Sequence, residues 1–311
     1  MSSFLTRFLI RPVFAVILLV LQSHAWASGV TVTHAMGDTD ISDSTRVVTL
    51  YQGATDSALA LGVQPVGVVE SWAQQPVYDY LNNRLGDEVT YVGLETQPNL
   101  EVIARLQPDV IIGAKARHEK IYGQLSQIAP TVLAENVYDF KRTLELTAEA
   151  TGRTEKGDEL WQAWQARTQA FRDHLSAEQQ QWPLTASILN VRADHLRLYL
   201  EDSFPGAVLK DIGFEFPLSE QASWGMKLKT KEALPTVNAD VFFILFDGDD
   251  AAVQQNYDAW RLHPLWNVLK APRAGQVHEV DRITWLLSGG ILGANLMLDQ
   301  LSAIYERAPA N

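Results

Sequence analysis

The sequence contains no cysteine. That excludes disulfides, iron–sulfur clusters, thiolate zinc sites and a cysteine nucleophile, and it leaves no cysteine for N-terminal lipid attachment. Basic residues are in short supply, with 25 Lys and Arg against 37 Asp and Glu and a formal charge of -12. A general nucleic-acid binder carries the opposite sign, so no nucleic-acid partner is expected. Long apolar runs are scarce too. The best, residues 12–21, is half the roughly 20 residues that a membrane span needs. Arg7 and Arg11 precede it and Ala25-Trp26-Ala27 follows it. Residues 1–27 therefore read as a secretory signal peptide, and its removal takes the charge from -12 to -14. The mature chain is expected to be periplasmic, monomeric and not membrane-spanning.

What is present supports a packed core: 47% of residues are hydrophobic and 20% charged. Residues 28–45 are polar and read as a loose lead-in or short hairpin. From Arg46 onward, short apolar runs alternate with helical stretches. Strands are predicted at 46–50, 66–69, 88–92, 109–112 and 131–133, with helices at 54–61, 99–106 and 119–128. Such alternation implies βαβ units and a mostly parallel sheet. Residues 139–180 break the pattern, because apolar residues recur there at helical spacing. A helix over 154–176 would be about 35 Å long. It reads as a strut between lobes, the alternative being a helix packed inside one domain. Strands are predicted again at 186–191, 196–200, 241–246 and 276–280, with helices at 205–212, 231–235, 251–260, 264–269 and 287–307. The fold class is α/β: two lobes with central, mostly parallel sheets, joined by one long backbone helix. The expected division is 28–138 for the N-terminal lobe, 139–182 for the connector and 183–311 for the C-terminal lobe. Ligands of open α/β sheets bind beyond the carboxyl ends of the strands, so two facing lobes make a cleft.

No nucleophile elbow, P-loop, His-Glu-x-x-His or dinucleotide fingerprint occurs. The seven histidines are scattered, and none pairs with another at the i, i+4 helical spacing, so neither a catalytic role nor a metal site is expected. What stands out is Arg and aromatic residues at predicted strand ends. Arg117 follows the strand at 109–112, and Arg192 follows the one at 186–191. Arg197 and Tyr199 share a face by period two. Trp224 lies in a loop ahead of Lys227 and Lys229, and Arg282 and Trp285 follow the strand at 276–280. Taken singly, each Arg fits a surface ion pair and each Trp a core position. Placed jointly at strand ends, they fit a pocket for a bulky anion, since guanidinium groups fork onto carboxylates and indole faces cover large organic surfaces.

The stretch from Val92 to Ile112 contains Gly93, Pro98-Asn99-Leu100-Glu101, Ile103, Leu106 and Pro108-Asp109-Val110-Ile111. It resembles the motif of ABC-importer substrate-binding proteins for ferric siderophores, a family that includes the ferric dicitrate and ferrichrome binders. The resemblance runs from about residue 46 to 301. It implies two α/β lobes hinged by one helix, no enzymatic activity, and a ferric siderophore of citrate or hydroxamate type as ligand. Iron would enter only as part of that ligand, with no separate cofactor or protein-held metal. By resemblance Arg117, Arg192, Trp224 and Trp285 belong to the pocket, and Trp72 lies where the first lobe lines it. Glu95 stands where those binders carry Arg. The resemblance also implies delivery to an inner-membrane permease, with Glu101 and Glu232 as one docking carboxylate per lobe. Alternatives are a haem, cobalamin or Zn/Mn carrier and, from another class, a secreted hydrolase.

Overall fold

The computed structural model describes residues 29–179, 181–218 and 223–307. The expected signal peptide, 1–27, lies outside the described residues. A hairpin of β1 (Val30–His34) and β2 (Gly37–Ile41) opens the structure. A six-stranded sheet follows, built from β3 (Val47–Thr49), β4 (Gly67–Glu70), β5 (Thr90–Leu94), β6 (Gln97–Pro98), β7 (Val110–Ala114) and β8 (Thr131–Ala134). Its order is β6-β5-β4-β3-β7-β8, with every pairing parallel except β5 with β6. Every residue of β3, β7 and β8 is buried. Helices or loops cover both faces of such strands, which is why they read as unbroken apolar runs.

A second sheet contains β9 (Ala186–Val191), β10 (Leu196–Tyr199), β11 (Gly225–Leu228), β12 (Val241–Phe246) and β13 (Val277–Glu279) in the order β11-β10-β9-β12-β13. Here β9, β12 and β13 run parallel, while β10 and β11 are antiparallel additions. The β11 strand is absent from the sequence expectation because Gly-Met-Lys-Leu has little apolar alternation to betray it. The segments predicted helical at 231–235 and 264–269 form 3-10 turns, Lys231–Val237 and Trp266–Val268.

Between the sheets the chain forms a shorter helix, Phe140–Ala150, and then the long one, Thr154–Glu178, of 25 residues. It is about 38 Å long at 1.5 Å per residue. The strut is not free-standing. Trp164, Phe171 and Leu175 enter a core with Phe140 and Leu144 before the helix, and with Ile188 and Phe243 of the second sheet. The Trp164 indole N–H donates to Asp211 Oδ2 at 2.8 Å, so the one polar atom of this buried ring is satisfied. At Gly157 a Cβ would come within 2.8 Å of the Ala148 Cβ, which shows how closely the Phe140–Ala150 helix packs against the strut.

Candidate functional site

Sheet order assembles the C-terminal wall of the cleft. Arg192, Asp247 and Arg282 each lie just beyond the carboxyl end of β9, β12 and β13, and these three strands are neighbours. Parallel neighbours end on the same side, so the three side chains meet. Asp247 takes Arg282 Nη2 on Oδ1 at 2.6 Å and faces Arg192 Nη1 through Oδ2 at 3.3 Å. The Nε atoms of both arginines are buried and have no hydrogen-bond partner among the described residues.

The N-terminal wall is built around Glu95. It lies in the turn between β5 and β6, and its side chain is only 5% exposed. Glu95 Oε1 accepts from Arg117 Nε at 2.9 Å. Burial pushes the carboxyl up from its ordinary range, against the pull of Arg117. The indole of Trp72 and the backbone N–H of Gln52, at the start of helix α1 (Gln52–Ala60), favour the ionised form. The backbone at Glu95 is pinned as well. His118 Nδ1 accepts from the Ala114 N–H at 3.0 Å, so the ring proton sits on Nε2 and donates to the Glu95 carbonyl at 2.9 Å. Burial lowers the His118 pKa, which keeps this imidazole neutral.

An aromatic stack bridges the walls. Trp224 stacks on Tyr138 with ring centroids 5.9 Å apart and planes 25° from parallel. It also lies 6.0 Å from Tyr199, and the Arg197 guanidinium sits 4.9 Å over its ring. Trp224 is nonetheless 38% exposed and Trp72 47% exposed, so neither ring is part of the core.

The floor is backbone. Gly53 and Gly289 touch so closely that a Cβ on Gly53 would come within 2.4 Å of the Gly289 carbonyl oxygen. Gly289 has φ +69°, a conformation that any other residue adopts only under strain. Beside this contact Asp56 is buried and accepts from the Leu292 and Gly293 N–H groups, which open the last helix, Ile291–Arg307, and from the Tyr80 hydroxyl. Burial pushes the Asp56 pKa up to about 7 despite these donors.

Trp72, Arg117, Arg192, Tyr199, Trp224 and Arg282 thus line one cleft of about 300 Å³, together with Glu95, Tyr138, Gln52 and Gly289. Three guanidinium groups stand against Glu95 in the lining and Asp247 behind it, so the cleft keeps a net basic character within an acidic chain. Arg197 does not line it; its guanidinium lies over the ring of Trp224, which does. Trp285 is a correction. It is fully buried, packs on Phe243 with centroids 4.7 Å apart and donates to Gln300 Oε1 at 2.9 Å. The π-helical turn Ile283–Leu287 rotates it inward, leaving Leu286 and Leu287 toward the cleft. Lys227 turns away to pair with Asp194 at 3.1 Å. Glu101 and Glu232 are both exposed, each in the first turn of its helix and apart from the cleft lining. The sequence reading missed Asp247 and Tyr138. Asp247 had a readable signal, a carboxylate directly after a strand, whereas Tyr138 had none. Among the described residues no three His, Asp or Glu side chains come together to hold a metal ion.

Residues 47–284 match the family model described as periplasmic binding protein. The achromobactin-binding periplasmic protein of Dickeya dadantii (strain 3937) is 47% identical over 262 residues, covering 83% of this chain and 86% of the relative. The probable siderophore-binding lipoprotein YfiY of Bacillus subtilis (strain 168) is 38% identical over 287 residues, with coverages of 88% and 87%. Among solved structures, Staphylococcus aureus SirA complexed with staphyloferrin B superposes with a TM-score of 0.84 at 39% identity, covering 89% of this chain and 98% of SirA.

Proposed function

The chain belongs to the periplasmic binding protein family, a family of binding proteins and not of enzymes, and from that premise we propose that it carries a ferric siderophore of citrate type to an ABC importer. The observation that supports this most is the convergence of Arg117, Arg192 and Arg282 on one cleft walled by Trp72, Tyr138 and Trp224. Guanidinium forks match carboxylates in geometry and charge, and indole faces cover the organic skeleton between them. The similarity to an achromobactin binder and to a staphyloferrin B complex points the same way, toward carboxylate-bearing ligands in preference to hydroxamates. Iron arrives already chelated, so the protein grips the chelator and not the metal. The leader-like residues 1–27 and the want of a cysteine for acylation favour the periplasm over a lipid-tethered form. The division into 28–138, 139–182 and 183–311 is taken as two gripping lobes and their connector, acting as a monomer.

Tryptophan fluorescence tests the assignment. Ferric staphyloferrin B and ferric citrate are expected to quench emission at micromolar concentration or below, and free Fe³⁺ is not. A response confined to catecholate chelates, haem or cobalamin overturns the reading. Exposed Glu101 and Glu232 are proposed as the carboxylates that meet an inner-membrane permease, one from each lobe. Changing both to Ala is expected to abolish uptake into cells while leaving chelate affinity within about twofold, as for surface substitutions generally. A matching loss of affinity would refute the docking role.

A further inference from the structure

Glu95 is an acidic residue in a cleft whose chemistry calls for cations. Its side chain is 5% exposed, and its backbone is held by the His118 donation to its carbonyl. An ionised carboxylate so placed opposes any anionic guest by Coulomb repulsion, and it costs desolvation besides. Its geometry offers a compensating role. The carboxylate grips Arg117 at Nε, the inner nitrogen of the guanidinium. Both terminal nitrogens of Arg117 remain without a protein partner among the described residues, and Arg117 lines the cleft. A guanidinium fixed at Nε can still present its two-pronged end to a carboxylate, with less orientational entropy to lose on binding. The Trp72 indole and the N-terminal turn of α1 lie on the same carboxylate's side of the cleft and favour its ionised form.

Resting on the reading of the cleft as a carboxylate-chelate site, we infer that Glu95 is a positioning residue, holding the terminal fork of Arg117 toward the carboxylates of the bound siderophore. The inference runs against the sign of the charge. Simple electrostatics says that removing Glu95 strengthens binding of an anion. Positioning says that removal weakens it, because Arg117 then searches many rotamers.

The test is a double-mutant cycle on positions 95 and 117, read by fluorescence titration with ferric staphyloferrin B. Glu95→Ala is expected to weaken binding about tenfold, a size ordinary for coupled neighbours. Glu95→Gln keeps an acceptor for Arg117 Nε, and it is expected to bind within about threefold of the wild type, a conservative rescue at the lower end of that coupling range. In an Arg117→Ala background, Glu95→Ala is expected to cost nothing further. Thermal unfolding of each variant establishes that it is folded, and Glu95→Leu, which fills the buried site and likewise lacks an acceptor, takes the place of Glu95→Ala if that variant does not fold. Tighter binding by Glu95→Ala or Glu95→Gln overturns the inference, as does additivity of the Ala losses at 95 and 117. A wild type that binds the chelate with a Glu95→Ala variant that binds equally well sinks only the role of Glu95. A wild type that binds no citrate-type chelate sinks the functional reading and the inference with it.

Discussion

The two walls of the cleft hold their arginines by the same chemical means in opposite ways. In the N-terminal wall a nearly buried carboxylate, Glu95, takes one guanidinium by its inner nitrogen. In the C-terminal wall a more exposed carboxylate, Asp247, bridges two guanidiniums by their terminal nitrogens. The first arrangement leaves the fork of Arg117 free and makes the pair part of the packed structure. The second takes one terminal nitrogen of each of Arg192 and Arg282 and leaves their buried Nε groups without a partner among the described residues. One wall therefore presents a whole fork. The other already carries a carboxylate that partly neutralises its two guanidiniums.

The largest effect expected comes from the C-terminal wall. Replacing Arg192 and Arg282 together by Ala removes two charge-assisted contacts and is expected to weaken ferric staphyloferrin B binding by at least about 100-fold. A loss under tenfold, measured by titration, would move the binding energy to the other wall. Next is stability. Arg117→Ala strands the buried Glu95 carboxylate and is expected to cost about 2–3 kcal/mol in urea unfolding, somewhat below the usual toll of breaking a buried pair because Arg117 is partly exposed. Arg192→Ala leaves Asp247 with Arg282 and with solvent, and should cost under about 1 kcal/mol. Equal costs would erase the distinction between the walls.

A smaller effect separates walls from floor. The folded-state pKa of Asp56 is raised to about 7, so the folded chain keeps a proton that the unfolded chain has already lost. Its contribution to stability is full at acid pH and is lost as pH rises toward and through 7. Between pH 6.5 and 8 the wild type is expected to lose up to about 1 kcal/mol relative to Asp56→Asn, which cannot titrate. Parallel pH profiles for the two in urea unfolding would refute this. The smallest effect tests the contrast by sign. Asp247→Asn loosens the hold on one terminal nitrogen of each C-terminal arginine and removes a competing anion, so binding should tighten by up to about threefold, a fraction of one charge-assisted bond. Weaker binding would make Asp247 a second holder of the kind inferred for Glu95.

Much of this architecture was legible in the sequence. Runs such as Val110–Ala114 announce strands covered on both faces, and the helical spacing of Trp164, Phe171 and Leu175 announces the strut. Arginines at strand ends are legible because parallel strands deliver their carboxyl ends to one side, and Arg117, Arg192 and Arg282 all arrive there. Trp285 was not legible. It stands three residues from Arg282, and only the local turn decides which of the two faces the cleft. Glu95 was visible as a departure from the ferric dicitrate and ferrichrome binders that the stretch resembles, but a position in sequence does not say which nitrogen of Arg117 it holds. Tyr138 comes from a loop whose approach to Trp224 depends on how the two sheets are set against each other, a tertiary fact with no local signature.

The contact of Gly53 with Gly289 fixes something the side chains cannot adjust. Two main chains already meet there, so no substitution at these two glycines deepens the cavity, and a carbon added at Gly53 pushes on the Gly289 carbonyl. Depth at this point is thus a constant of the scaffold, while breadth and charge are left to the rims. Re-engineering the protein for a different chelator is accordingly a task for Trp72, Tyr138, Trp224 and the arginines, with the glycines left untouched.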